Sequence, residues 1–246
     1  MGHRIYHIAA LILLLFGACS KAKEDCTEKG AYATIERSLD GFHAISVADR
    51  LDVKLVHDPA RLGTIELSCF SNLFSGVHSE VKEGMLYLSD HNRCKWLREL
   101  DTRITITVYV DENLDFLYTL DDASFTTSDT LQFDFLQMDH RSTKNQFLRL
   151  NGTRFWIEHY EAGEVILEGI TPVIKVTSFE SGVFDGRNLH SDDVFVFHYG
   201  LNKIHVNASR ILECRIENTG DILYYQEPSN SLLIKGDGKG KLLRAF

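Results

Sequence analysis

The stretch RFWIEHYEAGEVILEGITPVIKVTSFESG, Arg154–Gly182, decides the fold. Within it Phe155, Ile157 and His159 alternate with Trp156 and Glu158, and Gly163 stands just beyond them. Further along, at a spacing of 19 from the first trio, Ile174, Val176 and Ser178 repeat the arrangement ahead of Gly182. Alternation with period two marks a strand with one buried face. Its recurrence at a fixed distance marks turns that stack on one another.

Working outward, Ser124, Lys144, Gly163, Gly182, Gly200 and Gly220 serve as equivalent corners, with successive spacings of 20, 19, 19, 18 and 20 along the chain. The positions eight, six and four before each corner are Phe116/Tyr118/Leu120, Leu136/Met138/His140, Phe155/Ile157/His159, Ile174/Val176/Ser178, Asp192/Val194/Val196 and Leu212/Cys214/Ile216. Fourteen of these eighteen are apolar or aromatic, against three of the twelve positions between them, so one face points inward throughout. The fold class expected is all-β: a right-handed β-solenoid, or β-helix-like column, of about six turns of 18–20 residues over 115–246. Glycine corners would supply positive φ and room for the neighbouring backbone. Cys214 faces inward as an inert thiol. A β-sandwich with evenly spaced hairpins is the contending arrangement.

Upstream, Leu51–Leu55, Thr64–Leu67, Met85–Leu88 and Arg103–Val108 also alternate, which makes 31–114 a β-rich N-terminal part of the same 31–246 domain. Before it, Arg4 precedes the apolar run Ile8–Phe16, and Gly17-Ala18-Cys19 ends that run. The run is too short to span a bilayer and suits a cleaved signal. Phe16 at −3 disfavours an ordinary signal peptidase, and the segment resembles a lipobox. Residues 1–18 are therefore expected to be a lipoprotein signal, Cys19 the lipidated N-terminus and 19–30 a polar tether. A buried N-terminal helix or a plain secretory signal is the alternative. Ser20 and Lys21 lack the aspartate associated with inner-membrane retention, which points to the outer membrane. Lys23-Glu24-Asp25 resembles a surface-export signal.

Removal of 1–18 leaves 25 basic and 35 acidic side chains, a net charge near −10 that disfavours nucleic acid as a partner. The expected partners are the membrane, through the lipid, and an unidentified glycan or protein ligand. An oxidising envelope permits disulfides, and Cys69 with Cys94 is the candidate pair. No cysteine spacing matches zinc, and no cofactor is expected. Nor is there a nucleophile elbow, a zincin helix or a phosphate loop. Asp121-Asp122 and Asp192-Asp193 are expected to be turn charges, since neighbours on a strand point to opposite faces. His198 and His205 lack a third ligand. The recognition candidates are aromatic. Tyr160, Phe179 and Phe197 share one offset from their corners, and Trp156 and Phe195 are outward by parity. Stacked on a column they would form a contact strip, unless the strand bends there and turns them into the core.

Phe42–Val47, Val53–Leu55, Gly84–Leu88, Asn92–Arg98, Ile216–Tyr225 and Gly236–Leu242 occur in an order similar to that of the putative auto-transporter adhesin head domain, or head GIN domain, family. Ser124 and Lys144 depart from its small-residue corners. The resemblance implies a solenoid-like surface or envelope lipoprotein and names neither ligand nor catalytic residue. The function expected is therefore a lipid-anchored, adhesin-like binding or structural module without catalysis. The alternatives are a β-helical polysaccharide-processing enzyme and an envelope scaffold that binds another protein.

Overall fold

The computed structural model describes residues 30–93, 103–234 and 236–246. It is a β-solenoid of about six turns, and the strands among the described residues form one continuous 19-stranded sheet wrapped around a core. Each turn of the repeat supplies one strand to a first face and one to a second. The first face stacks β8 (Phe116–Asp121), the end of β10 (Leu131–Ser142), the end of β11 (Gln146–His159), β13 (Val173–Ser178), the end of β14 (Phe184–His198), β16 (Ala208–Ile216) and β18 (Asn230–Ile234), all parallel. The second face stacks β9 (Ser124–Thr127), the start of β11, β12 (Val165–Ile170), the start of β14, β15 (Ile204–Val206), β17 (Ile222–Tyr224) and β19 (Leu242–Arg244). Strand β11 turns the corner itself: Gln146–Asn151 pair with β12 and Arg154–His159 with β13.

Inward side chains form ladders along the column. One runs Leu136, Phe155, Ile174, Val194, Leu212; the next runs Leu117, Met138, Ile157, Val176, Val196, Cys214. All are essentially inaccessible to water. Each such apolar side chain contributes about 1.5–3 kcal/mol by burial, so these ladders are the main source of stability.

The strands depart from the sequence-derived register at two places. In the first turn Leu117 and Thr119 face the core, paired with Met138 and His140, whereas Phe116, Tyr118 and Leu120 face out. This strand is apolar on both faces, so alternation could not orient it, and the slip is a single position. Further on, Val176 pairs with Val196 and Ser178 with His198, a spacing of 20, and Val196 pairs with Cys214, a spacing of 18. The trio expected as Asp192, Val194 and Val196 is therefore Val194, Val196 and His198. A register shift between β12 and β14 near Ile166/Glu168 accounts for the longer turn.

The corner that belongs to His198 is consequently Asn202, not Gly200. Asn202 is buried, and its amide donates to the Gly182 carbonyl and to Ser178 Oγ. A further correction concerns why glycine stands at the other corners. Gly163, Gly182 and Gly220 are not in the positive-φ region. A Cβ on Gly163 would lie 2.3 Å from the Lys144 carbonyl oxygen, so close approach of the previous turn is the reason. Among the described glycines of the repeat, Gly169 combines both demands, with φ +117° and a Cβ position 2.0 Å from the Leu150 carbonyl oxygen.

At the corner end of the first face the ladder turns polar: Thr119, His140, His159, Ser178, His198. The three imidazoles are buried. His159 Nε2 donates to the Gly163 carbonyl at 2.8 Å and His198 Nε2 to the Asn202 carbonyl at 2.9 Å, so each ring ties a strand to its own corner. Thr119 Oγ1 lies 2.9 Å from His140 Nδ1. Burial holds His140 down to about 3 and His159 to about 4, and lowers His198, so all three are neutral at pH 7.

The N-terminal part extends the column by a different route. Strands β2 (Ala44–Val47) and β3 (Leu51–His57) form a rung directly against β8 and β9, which lie far downstream in the chain (Ala44 against Phe116, Asp52 against Ser124). The other edge of that rung pairs with β6 (Met85–Asp90) and β7 (Ile104–Val110). The chain thus places its first rung between two later ones. Outside them, β5 (Val77–Lys82) pairs antiparallel with β6, β4 (Thr64–Phe70) antiparallel with β7, and β1 (Tyr32–Ser38) antiparallel with β4. Arg103 spans the junction, donating from Nε and Nη2 to both Asp52 carboxylate oxygens (2.6 and 2.7 Å) and from Nη1 to Asp122 Oδ2 (2.8 Å).

Candidate functional site

Because Phe155, Ile157 and their equivalents are inward, the residues between them form the outer surface of the first face. One outward row runs Gln137, Trp156, Lys175, Phe195, Glu213; the next runs Asp139, Glu158, Thr177, Phe197, Arg215. Trp156 is 40% exposed, and Phe195 and Phe197 are half-buried. Lys175 Nζ lies 5.3 Å from the Trp156 ring and 5.6 Å from the Phe197 ring, a cation shared by two aromatic faces. Phe135 meets Trp156 edge-on at 5.0 Å, and the Arg154 guanidinium lies 5.5 Å from the Phe135 ring. The result is a flat aromatic and cationic strip on a rigid parallel sheet.

Tyr160 and Phe179 belong to a separate ladder, whose third member is Tyr199 rather than Phe197. The backbone N–H groups of Tyr160, Phe179 and Tyr199 donate to the carbonyls of His140, His159 and Ser178, which makes the three equivalent. Their rings stack at 4.6 and 5.3 Å, within 9° of parallel, and the Arg141 guanidinium caps Tyr160 at 3.8 Å. The Tyr160 hydroxyl donates to Glu158. The displacement of Phe197 has the same cause as the corner shift to Asn202. Phe197 instead joins Trp156, Lys175 and Phe195 on the strip.

The other residues marked in the sequence have structural partners. Asp121 Oδ2 accepts from the Asp49 N–H and Asp122 from Arg103; Asp192 accepts from Ser209 Oγ, and Asp193 is held bidentately by Arg210. His198 is inside the column, and His205 Nδ1 lies 2.9 Å from the Tyr225 hydroxyl. Among the described residues no cluster of three His, Cys, Asp or Glu is arranged to hold a metal ion. Cys69 and Cys214 are free, buried thiols, raised to about 11 and about 12 by burial. Cys94, the suggested partner of Cys69, and Cys19 lie outside the described residues. No helix among the described residues is long and apolar enough to cross a membrane.

One feature of the same surface escaped the sequence. A groove of about 570 Å³ lies over β2, walled by Met85 and Tyr87 on one side and Phe116 and Tyr118 on the other, with Ser46 as floor and Asp139 at the rim. Burial, with Glu158 beside it, raises the Asp139 carboxyl above the usual range, although Gln137 Nε2 donates to it at 3.2 Å. The available signal was the run of small outward residues Ala44, Ser46 and Ala48. It acquires meaning only once β6 and β8 are known to flank β2.

Solved structures with this fold include a putative adhesin from Bacteroides fragilis NCTC 9343, with TM-score 0.78 and 18% identity over 89% of this chain and 99% of that one. A putative adhesin from Parabacteroides distasonis ATCC 8503 matches with TM-score 0.62 and 17% identity over 89% and 99% of the two chains. A protein of the same organism described as a putative lipid binding protein matches with TM-score 0.58 and 17% identity over 88% and 98%. No curated protein matches the sequence. The family described as "putative auto-transporter adhesin, head GIN domain" matches residues 41–228, about three quarters of the sequence, and the chain belongs to that family.

Proposed function

We propose that the protein is a lipid-anchored envelope module, displayed from the outer membrane through Cys19, which binds a ligand through the outer surface of its first face and performs no catalysis. The observation that carries this reading is the strip of Trp156, Lys175, Phe195 and Phe197. Rigid aromatic faces sharing a cation, held on a sheet whose own core is complete without them, suit contact with a glycan or protein surface. The adhesin names of the family and of its structural relatives agree with a surface role. The Gly17-Ala18-Cys19 motif supports the lipid anchor.

Metabolic labelling with a lipid precursor should mark the wild type and not Cys19→Ser, and protease shaving of intact cells should remove the protein if it faces outward. A glycan array and a pull-down from membranes then separate a glycan ligand from a protein one. Retained label in Cys19→Ser would refute the anchor. The contending enzyme reading would rest on Asp139 and Glu158, which are register neighbours on adjacent turns. They are engaged by Gln137 and Tyr160 respectively, and release of reducing ends from a polysaccharide by the purified protein would be needed to favour it.

A further inference from the structure

We propose that the groove over β2 is a carbohydrate site that takes a single hexopyranose ring between the walls built by β6 and β8. The groove lies at the N-terminal end of the first face, on the same outward rows as the strip, with Gln137 and Asp139 between Phe116/Tyr118 and Trp156/Glu158, and its assignment rests on its own residues.

Its shape follows from the crossover that inserts β2 between two later strands. Registry aligns Met85, Ala44 and Phe116 in one outward row and Tyr87, Ser46 and Tyr118 in the next. In the repeat, by contrast, a large side chain on one turn abuts one on the next, as in the Tyr160–Phe179–Tyr199 stack. Over β2 the middle member is alanine or serine, so the walls stand two strand spacings apart, about 9–10 Å. Ala44 and Ser46 point outward yet are only 3% and 8% exposed, because the taller neighbours shade them. The slot is therefore one side chain thick, and its volume falls in the range of small-molecule sites.

The lining chooses among ligands of that size. Phe116 and Tyr118 form a near-parallel pair, 22° apart with centroids at 6.3 Å, and Tyr87 stands opposite. Such walls suit the C–H faces of a pyranose. At the floor and rim, Ser46 Oγ and the remaining hydrogen-bonding capacity of Ser89 Oγ, which lies 3.0 Å from His91 Nε2, and of the Asp139 carboxyl, which accepts from Gln137 Nε2, supply groups for ring hydroxyls. A hydrocarbon chain in the same slot would strip water from Asp139 and leave it Gln137 Nε2 in place of the lost water. Among the described residues no lysine or arginine lines the slot, and Asp139 with Glu158 beside it disfavours a phosphate or carboxylate ligand. A neutral ring with apolar faces and hydroxyl edges meets all of these conditions.

The test titrates the purified full-length chain, in a detergent without a sugar headgroup, with a panel of methyl hexopyranosides and with decanoate, followed by saturation-transfer NMR and calorimetry. The expected result is binding of at least one pyranoside, with saturation strongest at its ring C–H protons. Ser46→Phe, which fills the slot, and Tyr118→Ala, which removes a wall, should each weaken binding at least tenfold at an unchanged melting temperature. Leu201→Ala, at an exposed corner outside both the slot and the strip, should leave it unaltered. If Ser46→Phe fails to fold, Tyr87→Ala with Tyr118→Ala decides. Binding of no pyranoside, pyranoside binding that survives the folded slot variants, or decanoate bound in its place would overturn the proposal.

Discussion

The two ends of the column are built from the same rungs by opposite kinds of connection. In the repeat, each first-face strand pairs with its neighbour in the next turn at a sequence separation between 18 and 21, as Leu117 does with Met138, Ile157 with Val176 and Val196 with Cys214. In the N-terminal part, β2 and β3 find their partners at separations between 41 and 72, as with Ala44 against Met85 and Phe116. Closing a loop of about 72 residues in place of one of about 19 costs roughly 1 kcal/mol more in chain entropy. More consequentially, the β2–β3 rung cannot satisfy both edges until the chain has reached Thr127. Local stacking gives regularity and a smooth outer strip. Long-range insertion places small residues between large ones and so creates the groove. The antiparallel strands β1 and β5 also close that end against further parallel stacking, as edge protection requires.

This contrast can be broken first at the core of the repeat. Phe155→Ala should cost about 3–5 kcal/mol, measured by urea denaturation, because the ladder from Leu136 to Leu212 is continuous on both sides of the ring. A loss under about 1 kcal/mol would mean that the turns do not share a core.

Acid should act on the same region. In the unfolded chain the histidines protonate near 6.5, whereas His159 and His140 resist until about 4 and about 3. Between those values the unfolded state binds more protons. The stability they contribute is therefore complete above pH 6.5 and is lost as pH falls, by about 2 kcal/mol per histidine at pH 5. The matching ladder positions in the N-terminal rungs are Val47 and Leu88. Hydrogen exchange at pH 5 should accordingly quicken over 131–198 before it quickens over 44–57; the reverse order would discount the histidine ladder.

Gly169→Ala is expected to destabilise by more than about 1 kcal/mol, since its φ and its contact with the Leu150 carbonyl both exclude a Cβ. Thermal melting reads this, with Gly41→Ala as the control because nothing lies within 4 Å of a Cβ there. The smallest effect sharpens the junction. Arg103→Ala should cost about 1–2 kcal/mol and raise exchange in 51–57 and 104–127 while leaving 173–216 protected. Uniform loosening of the whole column would show that the two ends are not separable.

Legibility in the sequence followed the same division. Between Leu136 and Ser178 the spacing stays at 19, and alternation alone identifies the inward residues. At Phe116–Leu120 both faces are apolar, so parity carried no information and the phase was set instead by Ile45 and Met138 on either side. Near residue 192 the glycine count misled, because Asn202 had taken over a corner by bonding through its side chain to Gly182 and Ser178. Parity placed Trp156 and Phe195 on the outer surface, but the corner offset assigned Phe197 to the wrong ladder. The groove was not legible at all, since Tyr87 and Tyr118 stand far downstream of Ser46 and no local pattern joins the three.

The proposed contact surface is the outer side of the first face. Its most direct test is the adherence of cells displaying the protein to the ligand surface identified by array or pull-down, compared with cells displaying the Trp156→Ala/Phe197→Ala double variant at equal surface density. The account predicts a marked loss of adherence with an unchanged melting temperature, because neither ring belongs to the core ladders. Adherence equal to wild type, or a variant that no longer folds, would contradict it.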